Sequence, residues 1–264
     1  MAFYFFMQIS LDIRKSIDEN ATVYFKKAKK LKKKIEGTQE IIAKTKQHLE
    51  QAEKKQRILL EKQSQQKKLD IKKEWFDKYR WFMSSEGFLV VAGRDATTNE
   101  ILMKKHTEEH DVVFHTDMPG SPFVIIKNPQ QKLIPEATKQ EAADYCASLS
   151  NAWKRGLAST EVYSIQPDQV SKEAKSGEYL GKGAFMIYGK RAYYEGKMSL
   201  AVCIYENKVM IGPLQAVKAL QIPFVQILQG NKKLSDIAKK VQQKIHAEID
   251  DIIRVLPQGV ELGR

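Results

Sequence analysis

The chain has 264 residues, 44 of them Lys or Arg against 32 Asp or Glu, giving a formal net charge of +12 and a sequence pI near 9.4. With 42% apolar and 29% charged residues it can bury a substantial core, which excludes a disordered polyelectrolyte and a membrane-embedded body. The opening apolar run, residues 1–7, is far below the roughly 18 to 20 residues a spanning helix needs. No basic residue precedes that run and no small-residue cleavage site follows it, so the expectation is a cytoplasmic chain that engages no membrane.

In chain order, residues 1–74 form the first unit and carry 19 basic against 10 acidic residues, a surplus of nine; residues 75–264 form the second, with 25 against 22. Between Asp18 and Lys73 there is no proline and one glycine, Gly37, and Lys, Glu, Gln and Ala dominate, the composition of a long helix. Ile17, Tyr24, Leu31, Thr38, Thr45, Ala52 and Leu59 recur every seven residues, and Ala21, Ala28, Ile35, Ile42 and Leu49 fall four after the first five, the seam of a coiled coil. The spacing predicts one helix of about 50 residues, on the order of 75 Å long, in need of a partner. That partner is a second copy, which makes a homodimer, or the apolar stripe predicted on a C-terminal helix over 234–255; a stripe of that kind more often packs on a sheet.

Lys26, Lys27, Lys29, Lys30, Lys32, Lys33 and Lys34 fill seven of nine positions and spare only the seam residues Ala28 and Leu31. A helix built for structure alone intersperses glutamates as i,i+4 partners; this one accepts repulsion along two turns, which polyanion binding would offset. The plainer reading is a solvated lysine face.

Residues 75–264 read as an α+β domain with a mixed, largely antiparallel sheet and flanking helices. Strand-like runs fall at 88–92, 112–115, 123–127, 162–165, 184–188, 200–205, 209–212 and 224–228, and helices at 99–106 and 138–154, the latter with Thr138 as N-cap. Cys146 and Cys203 lie inside predicted elements without C-x-x-C spacing, so free buried thiols are expected. Polar residues gather at strand ends: Arg94 and Asp95, His115 and Asp117 with Ser121, then Lys127. His115, Asp117 and Ser121 invite a nucleophile–base–orienter arrangement, but no G-x-S-x-G elbow accompanies them. His106, His110 and His115 lack zinc-site spacing, and Gly177, Gly181 and Gly183 do not make a phosphate-binding loop, so no metal or cofactor is expected. A third cluster, Gln169, Lys172, Lys175, Lys190 and Arg191 with Tyr193 and Tyr194, mixes cations, amides and aromatics as single-stranded RNA sites do, although the tyrosines read equally as strand packing.

The run Trp81-Phe82-Met83-Ser84-Ser85-Glu86-Gly87-Phe88-Leu89-Val90-Val91-Ala92-Gly93-Arg94-Asp95-Ala96 with Asn99-Glu100 resembles the opening of the NFACT-R domain. Asp111-Val112-Val113-Phe114-His115-Thr116-Asp117 with Gly120, Gln169-Val170-Ser171-Lys172, Gly177-Glu178-Tyr179-Leu180 and Gly183-Ala184-Phe185-Met186-Ile187 follow in family order. Upstream, Leu11-Asp12 and Asn20-Ala21 with Tyr24-Phe25 resemble the coiled-coil segment that precedes this domain in the NFACT family, the RqcH and NEMF group. The resemblance implies RNA binding in ribosome-associated quality control, on the large ribosomal subunit and with tRNA. It also implies that the N-terminal NFACT domain and helix-hairpin-helix segment have no counterpart here, so that template-free tailing is not expected of this chain alone and a separate NFACT-type protein is a candidate partner. Glu173 stands where the family often has Thr.

The resulting expectation is a non-enzymatic module that contacts phosphates of tRNA or rRNA through the seven lysines and through Arg94, His115, Lys127, Lys172 and Lys190, with Asp117, Gln169 and Arg191 beside them. The alternatives are an RNA-modifying or hydrolytic enzyme built on His115, Asp117 and Arg94, or a structural protein that dimerises through the coiled coil.

Overall fold

The computed structural model describes residues 9–70, 73–173, 181 and 183–263, excepting the side chains of 57–70. Two compact units divide the chain, Met1–Asp70 and Ile71–Arg264.

The first unit is dominated by α1 (Ile17–Asp70), 54 residues long and therefore about 80 Å. A capping box starts it: the Ser16 N–H donates to Glu19 Oε2 at 2.8 Å, and Glu19 N–H returns a bond to Ser16 Oγ at 3.3 Å. The preceding loop is folded back by Asn20, which accepts from Asp12 N–H at 2.9 Å and donates to the Asp12 carbonyl at 3.0 Å. Tyr24 adds a donated bond to the Ser10 carbonyl at 2.7 Å. The seam polar residues Thr38 and Thr45 satisfy their hydroxyls on the carbonyls of Lys34 and Ile41, each at 2.8 Å. Leu31, Ile35, Ile42 and Leu49 are all more than half exposed, so the predicted seam is a bare apolar stripe.

The second unit runs β1 (Arg80–Met83), β2 (Leu89–Ala92), α2 (Ala96–Lys105), β3 (Val112–His115), β4 (Val124–Ile126), α3 (Glu136–Leu149), α4 (Asn151–Lys154) and β5 (Ser159–Ile165). It continues with β6 (Val170–Ser171), β7 (Met186–Ile187), β8 (Ala192–Lys197), β9 (Leu200–Tyr205), β10 (Lys208–Gly212), α5 (Leu214–Ala219), β11 (Phe224–Lys232), α6 (Leu234–Ile245), α7 (Ile249–Val255) and β12 (Val260–Leu262). A six-stranded sheet has the order β1-β2-β4-β3-β5-β8, a four-stranded sheet β10-β9-β11-β12, and β6 pairs β7 in a separate ribbon. All these pairings are antiparallel. The class is α+β, as the sequence predicts.

Helix α3 lies across β8, β5, β4 and β3, and β1 meets β10 where the sheets join. Phe82, Phe114, Ile125 and Tyr145 fill the interior without exposure. Gly196 lets α3 approach, since a Cβ there would stand 2.6 Å from the Ala147 methyl. Cys146 and Cys203 are free and buried, and burial pushes both thiols up. The β9–β10 hairpin turns through Glu206 (φ 48°) and Asn207 (φ 63°), the two positive φ angles of a type I′ turn.

Several sequence expectations are corrected. The helix expected over 234–255 is two helices, because His246 takes a left-handed conformation (φ 54°) and closes α6 with an N–H bond to the Gln242 carbonyl at 2.8 Å. Thr138 is not a cap: the helix begins at Glu136 after Pro135, and the Thr138 hydroxyl is buried against Ser84 Oγ at 3.2 Å. The helix expected to continue to 154 breaks at Ser150, whose Oγ donates to the Ala147 carbonyl at 2.7 Å and accepts from Ala152 N–H at 3.1 Å.

Candidate nucleic-acid interface

On α1, the seven lysines between Lys26 and Lys34 are exposed, and none pairs with a carboxylate among the described residues. At 100° per residue they span about 220° of the helix circumference, opposite the narrower arc of Ala28 and Leu31. One face is therefore apolar and the rest cationic.

In the second unit a cleft of about 740 Å³ opens between the N-terminal end of α2, the loop after β3 and the β6–β7 ribbon. Its first wall is set by Gly93, Asp95 and Asn99. Asp95 caps α2 by accepting from Thr98 N–H at 2.8 Å, and Thr98 Oγ1 accepts from Arg94 and Asp95 N–H at 2.8 and 2.9 Å. The Thr98 main-chain bond, more than any other contact, holds the Asp95 carboxyl below its usual range. The buried Asn99 amide accepts from Phe123 N–H at 3.2 Å, which ties α2 to the strand that follows the cleft loop. This scaffold leaves the Arg94 side chain exposed at the rim.

Arg80 enters the cleft from β1. Its Nε donates to the Val255 carbonyl at 2.9 Å and one terminal nitrogen to the Leu256 carbonyl at 3.1 Å; the other terminal nitrogen has no partner among the described residues. Burial lowers its pKa, and Arg94 lowers it further. Tyr145 and Asp95 act in the opposite sense, and the Asp95 carboxylate is also engaged at the helix cap.

The lining also includes His115, Asp117, Tyr163, Phe185 and Arg191. His115 stacks on Phe123 at 4.2 Å between ring centres, and its Nδ1 sits 2.9 Å from the Pro122 carbonyl, so Nδ1 is the donor and Nε2 the acceptor. Arg191 bonds both Asp117 oxygens at 3.1 and 3.3 Å while its guanidinium lies 4.3 Å over the Tyr163 ring. Ser121 Oγ donates to the Met118 carbonyl at 2.7 Å and pairs with Thr116 Oγ1 at 3.0 Å. His115, Asp117 and Ser121 therefore each face a different partner and form no relay.

Burial, above all, pushes the His115 pKa below the usual histidine value, with Arg191 acting in the same sense and the Pro122 carbonyl and Asp117 opposing. Unfolded, the ring would protonate near pH 6.5. Above that pH both states are neutral; as pH falls below it the unfolded chain takes up the proton first, so stability is lost. The urea midpoint is expected to fall between pH 7.5 and 5.5, and His115→Gln to shallow that fall. An equally steep fall in the variant would place the proton uptake elsewhere.

Of the sequence-predicted residues, Arg94, His115, Asp117 and Arg191 meet in this cleft. Lys172 stands behind it, bonding the Gly181 and Ala184 carbonyls at 3.2 and 3.1 Å and Glu100 at 3.4 Å, with its ammonium 5.0 Å over Phe185. Glu100 also takes Lys104 at 2.8 Å, the chief reason its pKa drops to about 2, and Gly183 N–H at 3.4 Å. Gln169 is spent on the chain: its Nε2 donates to the Tyr188 and Lys190 carbonyls at 2.8 and 2.9 Å, leaving Lys190 exposed. Lys127 lines a separate depression of about 450 Å³ and is bound by Asp111 at 2.5 Å. The predicted residues 175–180 lie outside the described residues. Sequence reasoning did not name Arg80, Asn99, Tyr163 or Phe185 as site residues; Asn99 and Phe185 stood in the quoted family motifs, and the signal at Arg80 was a cation opening an otherwise apolar run.

A bare cationic rod and an α+β domain with a guanidinium-rimmed, aromatic-walled cleft define a polyanion-binding class of protein. Residues 78–189 match the family described as the NFACT protein RNA binding domain, and residues 5–79 match the NFACT N-terminal and middle domains. The chain is 42% identical over 211 residues to the archaeal Rqc2 homolog aRqcH of Methanocaldococcus jannaschii, covering 76% of this chain and 31% of that protein. It is 35% identical over 189 residues to the ribosome quality control complex subunit NEMF homolog of Drosophila melanogaster, covering 70% and 18%. Against the human subunit NEMF it is 40% identical over 119 residues, covering 45% and 11%. The chain thus spans a third or less of the length of these relatives. It belongs to the NFACT family. The expectation that the N-terminal NFACT domain has no counterpart is corrected, because the match over residues 5–79 places part of that region in this chain.

Proposed function

We propose that this chain is an RNA-binding component of ribosome-associated quality control, a non-enzymatic cytoplasmic module that grips tRNA or rRNA on the large ribosomal subunit. The observation that carries this reading is the set of seven exposed lysines on α1 that pair with no carboxylate among the described residues, a like-charge cluster that a polyanion would offset. Arg94, Lys190 and the Asp117-paired Arg191 add cations on the domain, and family membership supports the choice of RNA. Lys172 and Gln169 serve by shaping loops, and Lys127 by holding the domain together.

If four or five cations meet phosphates, log affinity for a tRNA should fall with log salt on a slope on the order of −3 to −4. Charge reversal at Lys29, Lys30, Lys32 and Lys33 should flatten that slope toward −1, and a slope left unchanged would remove α1 from the interface. The bare seam of Leu31, Ile35, Ile42 and Leu49 favours a helical partner, either a second copy or a separate NFACT-type protein. Light scattering on the purified chain tests the first: a dimer mass supports it, and a monomer removes it.

A further inference from the structure

The cleft has a shape and chemistry beyond backbone attraction, and what it could hold rests on the RNA-binding reading above. Its volume of about 740 Å³ lies within the roughly 300–1,000 Å³ of small-ligand sites. A phosphate backbone laid over a surface needs no such hollow. The lining offers Arg80, its guanidinium fixed by two main-chain carbonyls with one nitrogen unpartnered among the described residues, and the exposed Arg94. The helix end itself is closed to an anion because the Asp95 carboxylate already fills it. The lining also carries an aromatic surface: Phe185 is half-buried, stands edge-to-face on Phe123 at 5.2 Å and has the Lys172 ammonium 5.0 Å from its ring centre. His115 is part of the same lining, and with Nδ1 donating to Pro122 its Nε2 is an acceptor suited to a ribose hydroxyl or an exocyclic amine.

We propose that the cleft holds a single unstacked nucleotide of an RNA, with its phosphate between Arg80 and Arg94 and its base against the ring of Phe185. A fully paired helix cannot enter, because its bases are stacked; a bulge, loop or free end can. The domain would then select RNA by an extruded nucleotide, and the lysine rod would supply affinity for any RNA.

The test uses the whole chain and two hairpins of equal phosphate number, one fully paired and one with a single bulged 2-aminopurine. The bulged hairpin should bind about 10-fold tighter, and the 2-aminopurine emission should change on binding. Arg94→Ala, which gives up only a 3.5 Å contact to the Lys78 carbonyl, and Phe185→Leu, which keeps apolar volume but removes the ring, should each erase that advantage. The paired hairpin should bind Phe185→Leu as it binds the parent, and should lose with Arg94→Ala no more than one phosphate contact supplies. Equal binding of the two hairpins, with both variants silent, overturns the nucleotide site and leaves the RNA-binding reading standing. Failure to bind either hairpin overturns both. Free adenosine and cytidine monophosphates form a third arm: if they saturate the cleft while the bulge gains nothing, the ligand is a free nucleotide and the RNA source is overturned.

Discussion

Replacing Asp111 by alanine is expected to cost the domain about 3–5 kcal/mol, the largest loss available from one polar side chain here. The carboxylate is fully buried and takes Lys127 Nζ at 2.5 Å, Glu108 N–H at 2.8 Å and Asn128 N–H at 2.9 Å. Without it the Lys127 ammonium, only 9% exposed, keeps the His106 carbonyl at 2.8 Å and the largely exposed Glu108 at 3.4 Å. Neither compensates a desolvated cation. For a domain of this size the melting temperature should drop on the order of 10 °C. Asp111→Ala combined with Lys127→Met should recover much of that loss, since an apolar pair has no charge left to strand. Calorimetry on the three variants checks this. If Asp111→Ala costs under about 1 kcal/mol, the pair behaves as a surface salt bridge of the weak kind. The rescued double variant should also keep the parental salt slope for RNA, because a lysine committed to the interior cannot meet phosphate. A flattened slope would return Lys127 to the interface.

That contrast between a buried and a free lysine marks what the sequence could reveal. Lys26 through Lys34 were legible because charge density along a helix is local information, and heptad spacing fixed which face they leave apolar. The strands over 112–115 and 200–205 were legible for the same reason, through β-branched runs with clear ends. By contrast β8, written Ala192-Tyr193-Tyr194-Glu195-Gly196-Lys197, carries little apolar signal, and it is a strand because β5 pairs with it. Arg80 is read as a site residue only once residues 175 positions away supply the carbonyls that orient it. Loop residues such as Gln169 and Lys172 looked like ligand contacts because polar side chains in turns look alike whether they face a ligand or their own backbone. What the structure adds is that both side chains bond the chain's own carbonyls, and those bonds depend on where the chain returns.

The same distinction yields a second large effect, at Gly93. The run Gly93-Arg94-Asp95 with Asn99-Glu100 has the residue types of a catalytic loop, yet apart from Arg94 its polar side chains bond the scaffold. A Cβ on Gly93 would fall onto Asn99 Oδ1 and within 3.0 Å of the Asn99 main-chain nitrogen. Two responses are open to Gly93→Ala. Asn99 can swing away, which strands the Phe123 N–H and a buried amide, or α2 can shift and carry Arg94 off the cleft rim. Either is expected to cost about 2–4 kcal/mol, combining overpacking with an unsatisfied donor. Asn99→Ala alone leaves the Phe123 donor unpaired and should cost about 1–3 kcal/mol. The double variant should cost little more than Asn99→Ala, because the truncated side chain vacates the space the new methyl needs, a coupling that additivity forbids. Urea denaturation of the four proteins measures it: a sum of the two single losses would mean that Gly93 is required by its backbone and not by the Asn99 amide packed against it. Affinity for the bulged hairpin gives the functional half of the same cycle, and it should follow the position of α2, falling in both single variants by more than affinity for the paired hairpin falls.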